Sequence, residues 1–363
     1  MYFDNELRAL KRASRYRQIE LFDSNLIDLA SNDYLGLAKK KKQLIRACHL
    51  VKSYDRFAPQ ASLLVNGYHP IHQIFEESIA TINGFESGLV VGSGFLANLS
   101  LIEALVRRGD TLFLDSEYHA SGVLAARLVE NVEYFTHNSI DDLERRLKQS
   151  RARRKVIAIE GVYSMSGDIA KKEIFELANH YNALLIVDEA HSSGTIGKNL
   201  LGIFDYYNLD IQPNYIKMGT LGKAYGSYGA YILASSEIKE FLVNRGKAII
   251  YSTAPSVFDT ALALVNLRYI QKKGIILAKK LHKRRRLVER VLGISCKSQI
   301  VPIAQPSNKR VKELQQRLLK EGFLVGAIRQ PTVAKPIIRL IPRLGVKIKE
   351  LQRALELVKY SDD

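Results

Sequence analysis

At 363 residues, 47% of them hydrophobic and 25% charged, the chain suits two or three packed globular units. Two cysteines far apart, Cys48 and Cys296, exclude a disulfide framework, and no apolar run reaches the roughly 18 residues of a membrane span. A net charge of +17, with basic runs at 39–42, 145–155 and 279–286, reads either as solvated helix faces or as attraction to a polyanion; no zinc-finger or RRM signature points to nucleic acid.

Residues 1–45 read as an arm. A basic helical stretch over 6–18 precedes a short strand over 26–30 and the polar turn Ser31-Asn-Asp-Tyr-Leu-Gly36. The first residues lack the basic and apolar blocks of a secretory signal, so a cytoplasmic setting is expected. From about 70 to 235, strand-like runs (89–91, 111–115, 132–135, 156–160, 184–188, 215–218 and 229–234) alternate with helical spacing over 95–106, 119–131, 140–149 and 171–181. That alternation predicts a mostly parallel sheet covered by helices. Ligands of such sheets bind beyond the carboxyl ends of the strands. The polar residues of interest fall there: Asp115 and His119, Glu160 and Ser164, Asp188 and His191, Thr220 and Lys223. Beyond Pro255 a long helix over 257–292, short strands and helices near 309–321 and 349–360 predict a separate α+β unit.

Three segments carry chemistry. In Ile186-Val-Asp-Glu-Ala-His191 a strand ends in a carboxylate that could hold a proton on a heterocyclic nitrogen, with an imidazole three residues on; alone, it reads equally as a helix cap beside a surface histidine. In Gly219-Thr-Leu-Gly-Lys-Ala-Tyr-Gly226 the glycines admit a ligand to the backbone, and a desolvated lysine could form a Schiff base; alone, the stretch is a flexible loop. In Val91-Gly-Ser-Gly-Phe-Leu-Ala-Asn98 a strand turns into a helix whose first N–H groups suit a phosphate, though many α/β turns look alike.

Taken in this order, the three segments together resemble the α-oxoamine synthase family of pyridoxal-phosphate (PLP) enzymes. The resemblance extends through Ser31-Asn-Asp-Tyr-Leu-Gly-Leu37, Tyr251-Ser-Thr253 and Ile328-Arg-Gln-Pro-Thr-Val333, covering about residues 10 to 355. It implies an aspartate-aminotransferase-like α/β fold (fold type I), with a mostly parallel sheet, helices on both faces and a smaller C-terminal α+β domain. The implied division is an arm (1–45), a PLP-binding domain (46–255) and a small domain (256–363). By resemblance Lys223 is the Schiff-base lysine and Asp188 the partner of the ring nitrogen. His191 and Ser164 lie near the phenolic oxygen, and His119 stacks on the ring. Gly94, Phe95 and Thr220 hold the phosphate. Ser252 and Thr253 reach the cofactor of a neighbouring subunit, implying a homodimer with active sites at its interface. Arg339, Thr332 and Arg17 face substrate, with Arg15 an equal alignment for the last.

The implied reaction condenses an amino acid with an acyl thioester, carried by coenzyme A or an acyl carrier protein, and releases carbon dioxide. Alanine and a pimeloyl thioester, a step of biotin synthesis, are the expected pair; glycine with an acetyl group, or serine with a long acyl chain, are alternatives, as is a non-catalytic basic binding protein on this fold. No metal is expected. Two departures bear on the substrate. Leu63 stands where arginine is common, in the glycine-poor loop Phe57-Ala-Pro-Gln-Ala-Ser-Leu-Leu-Val-Asn-Gly67, and the stretch from Thr332 to Arg339 is short.

Overall fold

The structure, a computed structural model, describes residues 2–13 and 15–360. They fall into two compact units, one drawn from Asp33–Ser164 and Asp168–Lys280, the other from Met1–Asn32, Met165–Gly167 and Leu281–Asp363.

Strands are numbered along the chain from β1 (Ile27–Asp28). In the larger unit β2 (Ser87–Val91), β3 (Thr111–Asp115), β4 (Val132–Phe135), β5 (Lys155–Glu160), β6 (Leu184–Asp188), β7 (Tyr215–Thr220) and β8 (Ala230–Ala234) form one sheet. Their order is β2-β8-β7-β6-β5-β3-β4. Only β8 runs against its neighbours, so the other six strands end on one edge. All seven expected strands are present with small shifts at their ends. They form because both faces are covered, which selects near-continuous apolar runs such as Val156, Ile157, Ala158 and Ile159, all fully buried.

Alternation along β7 shows the two faces. Ile216 and Met218 join the core beneath the helix Gly94–Leu105, with Ala97, Leu101 and Ile102. Tyr215 packs edge-on against Phe175 and lies tilted against Phe204, each on a short helix of the other face.

The smaller unit is α+β, as expected. β9 (Val301–Ala304), β11 (Gly326–Ile328) and β12 (Ile337–Leu340) form an antiparallel sheet, while β10 (Phe323–Leu324) pairs with β1 in parallel. The core is built from Leu287, Leu314, Phe323, Ile338 and Leu355 among others.

The unit boundaries differ from those at 45/46 and 255/256. Residues before Asn32 join the C-terminal unit because β1 pairs with β10 and Leu29 enters that core. The helix Val257–Leu292 is one element, as expected, but its first part belongs to the larger unit, where Val257 and Ala261 pack with Ala47, Val51 and Ile71.

Two helices differ from their expected bounds by more than two residues. The arm helix is Asp4–Arg12, ending where the amides of Arg15 and Tyr16 both fold back on the Leu10 carbonyl. The helix expected over 119–131 is Ala120–Ala126, with His119 as its cap. Helices Lys41–Lys52, Pro70–Asn83 and Ser236–Arg245 are additional to the sequence reading.

Candidate active site

Parallel pairing places Glu160 opposite Asp188, and Asp188 opposite Met218, at the ends of β5, β6 and β7. Asp188 lies on the sheet face of Ile186, the face covered by the helix Gly94–Leu105. Its Oδ2 accepts a hydrogen bond from Asn98 Nδ2 at 2.8 Å and its Oδ1 one from the Ala190 amide at 2.9 Å. Asn98 is held in turn by the Tyr118 hydroxyl, which donates to its Oδ1 at 2.7 Å. The carboxylate is therefore buried and fixed in direction.

Lys223 follows β7 on the loop expected from its glycines. Its Nζ lies 2.7 Å from His191 Nε2, and His191 Nδ1 lies 2.6 Å from the hydroxyl of Tyr34. Gly194 lets the two loops meet: its φ is +79°, and a Cβ there would stand 2.4 Å from Ala224 Cβ. Gly226, at φ +57°, likewise admits the backbone of Leu37 and Ala38.

His119 caps its helix. Its Nδ1 accepts from the Ser121 amide at 3.2 Å, so the neutral ring carries its proton on Nε2. Burial lowers the pKa of His119, opposed by the charge of Asp188 and assisted by that of Lys223. Glu160 is buried, and its pKa is raised well above the carboxylate range, first by desolvation and then by Asp188. Its Oε2 accepts from the Ser164 amide at 3.0 Å, while its Oε1 is buried without a partner.

Gly94 and Thr220 come together: a Cβ on Gly94 would stand 3.9 Å from Thr220 Cβ. Gly94 and Phe95 open a helix, so their amides lack intrahelical partners. This donor set fits PLP. It offers a buried carboxylate, an amine, two imidazoles, an orphaned acid oxygen and a hydroxyl beside free helix amides.

Lys223, Asp188, His191, His119, Ser164, Thr220, Gly94 and Phe95 thus share the strand ends of the larger unit. Thr253 forms a bridge with Ser62, and Ser252 precedes it beside the exposed Tyr251. The substrate-side residues lie in the smaller unit. Arg17 Nη2 donates to Thr332 Oγ1 at 3.2 Å, and Arg339 Nη1 to Asn32 Oδ1 at 3.1 Å. Arg15 and Arg17 both line a cavity of about 380 Å³, so neither is preferred by position. The 63–67 segment is a single π-helical turn in which Leu63 packs toward the core of the larger unit.

Tyr34 and Asn98 lie inside quoted motifs and Glu160 at a strand end, without a role visible in sequence. Two charged clusters add to these. Lys217, fully buried on β7, stands 3.6 Å from Glu189 and donates to Asn83 Oδ1 at 2.8 Å. Burial pushes Lys217 down and Glu189 up, each opposed by the other's charge. A lysine within the apolar run Tyr215-Ile-Lys-Met was the available signal. The second cluster is His137, with Nδ1 at 3.0 Å from Asp115, Nε2 at 3.3 Å from Asp168 and at 3.7 Å from Glu117. Burial lowers its pKa, but bonds to Asp115 and Asp168 and the charges of Asp115 and Glu117 outweigh it, raising the value to about 10.

A family model described as aminotransferase class I and II matches residues 24–358. The 8-amino-7-oxononanoate synthase of Helicobacter pylori is 45% identical over 363 residues, covering 99% of this chain and 97% of its own length. A putative 8-amino-7-oxononanoate synthase of Aquifex aeolicus is 35% identical over 99% of this chain and 96% of its own. Among solved structures, a serine palmitoyltransferase from S. paucimobilis with PLP bound aligns at TM-score 0.89 and 23% identity, covering 99% of this chain and 96% of that one. An 8-amino-7-oxononanoate synthase from Francisella tularensis aligns at 0.78 and 24%, covering 93% and 98%. At these identities the structural likeness speaks to fold.

Two outcomes are expected. Lys217→Met leaves Glu189 buried without its cation and should cost about 3–5 kcal/mol in urea denaturation, most of it recovered in Lys217→Met/Glu189→Leu. A double variant as unstable as the single one would contradict the pairing. His137 has its folded pKa raised, so its stabilisation is complete below about 6.5 and lost as pH rises through about 10. The melting-temperature gap between wild type and His137→Gln should therefore close in alkali; a gap constant with pH would mean that His137 acts by packing alone.

Proposed function

The chain belongs to the class I and II aminotransferase family, among its α-oxoamine synthases, and from that premise we propose that it joins L-alanine to a pimeloyl thioester, releasing carbon dioxide and the thiol to give 8-amino-7-oxononanoate for biotin synthesis. The observation that carries this reading is 45% identity along the whole chain to the Helicobacter pylori enzyme of that name.

Bound PLP supplies an aldehyde and an electron-accepting ring. Lys223 Nζ would hold PLP through that aldehyde and, as an amine, would be the base for the α-proton of the incoming amino acid. Asp188, fixed by Asn98 and the Ala190 amide, holds a proton on the ring nitrogen. His119 covers a ring face as a neutral imidazole. His191 and Ser164 hold the phenolic oxygen, while Thr220 and the amides of Gly94 and Phe95 hold the phosphate. Arg339 grips the substrate carboxylate through its guanidinium fork, with Thr332 and Arg17 at the acyl side. Attack of the deprotonated amino acid on the thioester carbonyl forms the C–C bond and expels the thiol. The resulting β-keto acid loses carbon dioxide.

The active form is a homodimer in which Ser252 and Thr253 serve the partner's phosphate. A cytoplasmic setting fits the two free cysteines, and no described helix is long and apolar enough to cross a membrane. Leu63 keeps a second reading in view. It packs toward the core where the family commonly places arginine, so another amino acid and acyl pair is the alternative.

A substrate matrix tests the assignment. Alanine, glycine and serine are each paired with pimeloyl, acetyl and palmitoyl thioesters, the last three presented on coenzyme A and on carrier protein. Alanine with the pimeloyl donor should be fastest, and the PLP-loaded protein should absorb at roughly 420 nm, a band that Lys223→Ala loses. Glycine with acetyl thioester outpacing the pair would overturn the biotin reading. A colourless protein would overturn the enzyme reading.

A further inference from the structure

Tyr34 has no part in the roles assigned above, yet its position is determined from three sides. Its side chain is fully buried. Asp33 braces the turn that carries it, accepting from the Leu37 amide at 2.8 Å. Two positive-φ glycines bring the neighbouring loops against that turn: Gly226 meets Leu37 and Ala38, and Gly194 lies near Leu35. The phenol oxygen lies 2.6 Å from His191 Nδ1, with the rings 75° apart and their centroids 6.2 Å apart. That geometry is a hydroxyl contact and not ring stacking. On the other side of the same imidazole, Nε2 faces Lys223 Nζ at 2.7 Å.

A neutral imidazole has one proton for its two nitrogens, and the partner of one nitrogen decides what the other offers. If Nδ1 held the proton, Nε2 would be an acceptor, favouring a charged, donating ammonium on Lys223 and repelling a phenolic oxygen. If Tyr34 donates to Nδ1, the proton sits on Nε2. Nε2–H can then donate to a phenolic oxygen or to the lone pair of an uncharged amine. An imidazolium would donate from both nitrogens and leave the Tyr34 oxygen as an acceptor.

We propose that Tyr34 is a positioning residue: its O–H donates to His191 Nδ1, locks the proton on Nε2, and so holds Lys223 as an uncharged amine, free to bond the aldehyde and later to take the substrate α-proton. The inference rests on the reading of Lys223 as the Schiff-base lysine. Bond formation balances on this arrangement, since the amine lone pair attacks the aldehyde carbon and both amine hydrogens leave with the aldehyde oxygen as water. Asp188, Glu160, His119, Tyr118 and Asp115 are among the titratable groups gathered at the site. The charge of Lys223 acts on Glu160 and His119, so these groups enter the same proton balance.

Tyr34→Phe keeps the ring and removes the donor. The protein is loaded with PLP and saturated with alanine, which frees Lys223. Nitrogen-15 spectra of the histidines then report which nitrogen of His191 is protonated, with His191→Asn identifying the signal. Exchange of the alanine α-proton with deuterated water, followed across pH without any thioester, isolates the proton-abstracting step. The wild type should carry its proton on Nε2. Tyr34→Phe should move protonation toward Nδ1 and shift the acidic limb of the exchange profile about one pH unit upward, a tenfold loss on that limb. Its affinity for alanine should be little altered. A merely structural role would slow exchange equally at every pH and leave the tautomer unchanged. Protonation of the wild type on Nδ1, or an unshifted limb in Tyr34→Phe, overturns the proposal. If alanine exchanges but no thioester yields product, the biotin assignment fails and the role of Tyr34 stands. The spectrum of the wild type is readable even if the variant folds poorly.

Discussion

Six strands of the central sheet run in one direction, and that constraint governs the chemistry of the larger unit. Parallel hydrogen bonding fixes Glu160 beside Asp188 and Asp188 beside Met218, so groups distant in sequence arrive at one edge in a set order. Burial of both sheet faces keeps the inner strands mostly apolar, Lys217 excepted. Most polarity gathers where the backbone leaves the sheet. The site is thus a boundary between a dry core and the loops above it, and its residues inherit the desolvation of that core.

Desolvation is why charge is so closely managed there. Asp188 accepts from Asn98 and the Ala190 amide, and Glu160 beside it is pushed toward its neutral acid. One step further along the chain, Glu189 faces the opposite side of the sheet, where it meets Lys217 and accepts from the amide of Ile203. Neighbouring acids in Asp188-Glu189 therefore do different work because alternation sends them to opposite faces. One faces the candidate site. The other links the turn after β6 to Lys217 of β7 and to the Ile203 amide.

Much of this was legible in sequence. Apolar runs bounded by glycine and polar turns located every strand of the large sheet, and the residues just past their ends gave the candidate site. What escaped depends on contacts between distant segments. Tyr34 lies 157 positions before His191, and nothing in the spacing of either reveals the bond. Asn98 looked like a polar interruption of an apolar helix, and its purpose is visible only once Asp188 stands opposite. Glu160 and His137 are ordinary residues until burial and neighbours shift their proton equilibria. The unit boundaries escaped for a related reason. Composition does not change at Asn32 or within the helix Val257–Leu292, where the structure passes from one unit to the other. β1 is only two residues long, too short for periodicity to disclose its partner.

That short pairing bears on how the chain is made. Ile27 matches Phe323 and Asp28 matches Leu324, so β1 cannot pair until β10, far along the chain, has been made. The larger unit is contiguous apart from three residues and can assemble as its strands emerge. The smaller unit cannot, because its core needs Leu29 together with residues up to Val358. During synthesis the arm, with five basic and five acidic residues over 1–32, must wait for its partner strand until nearly the whole chain has been made.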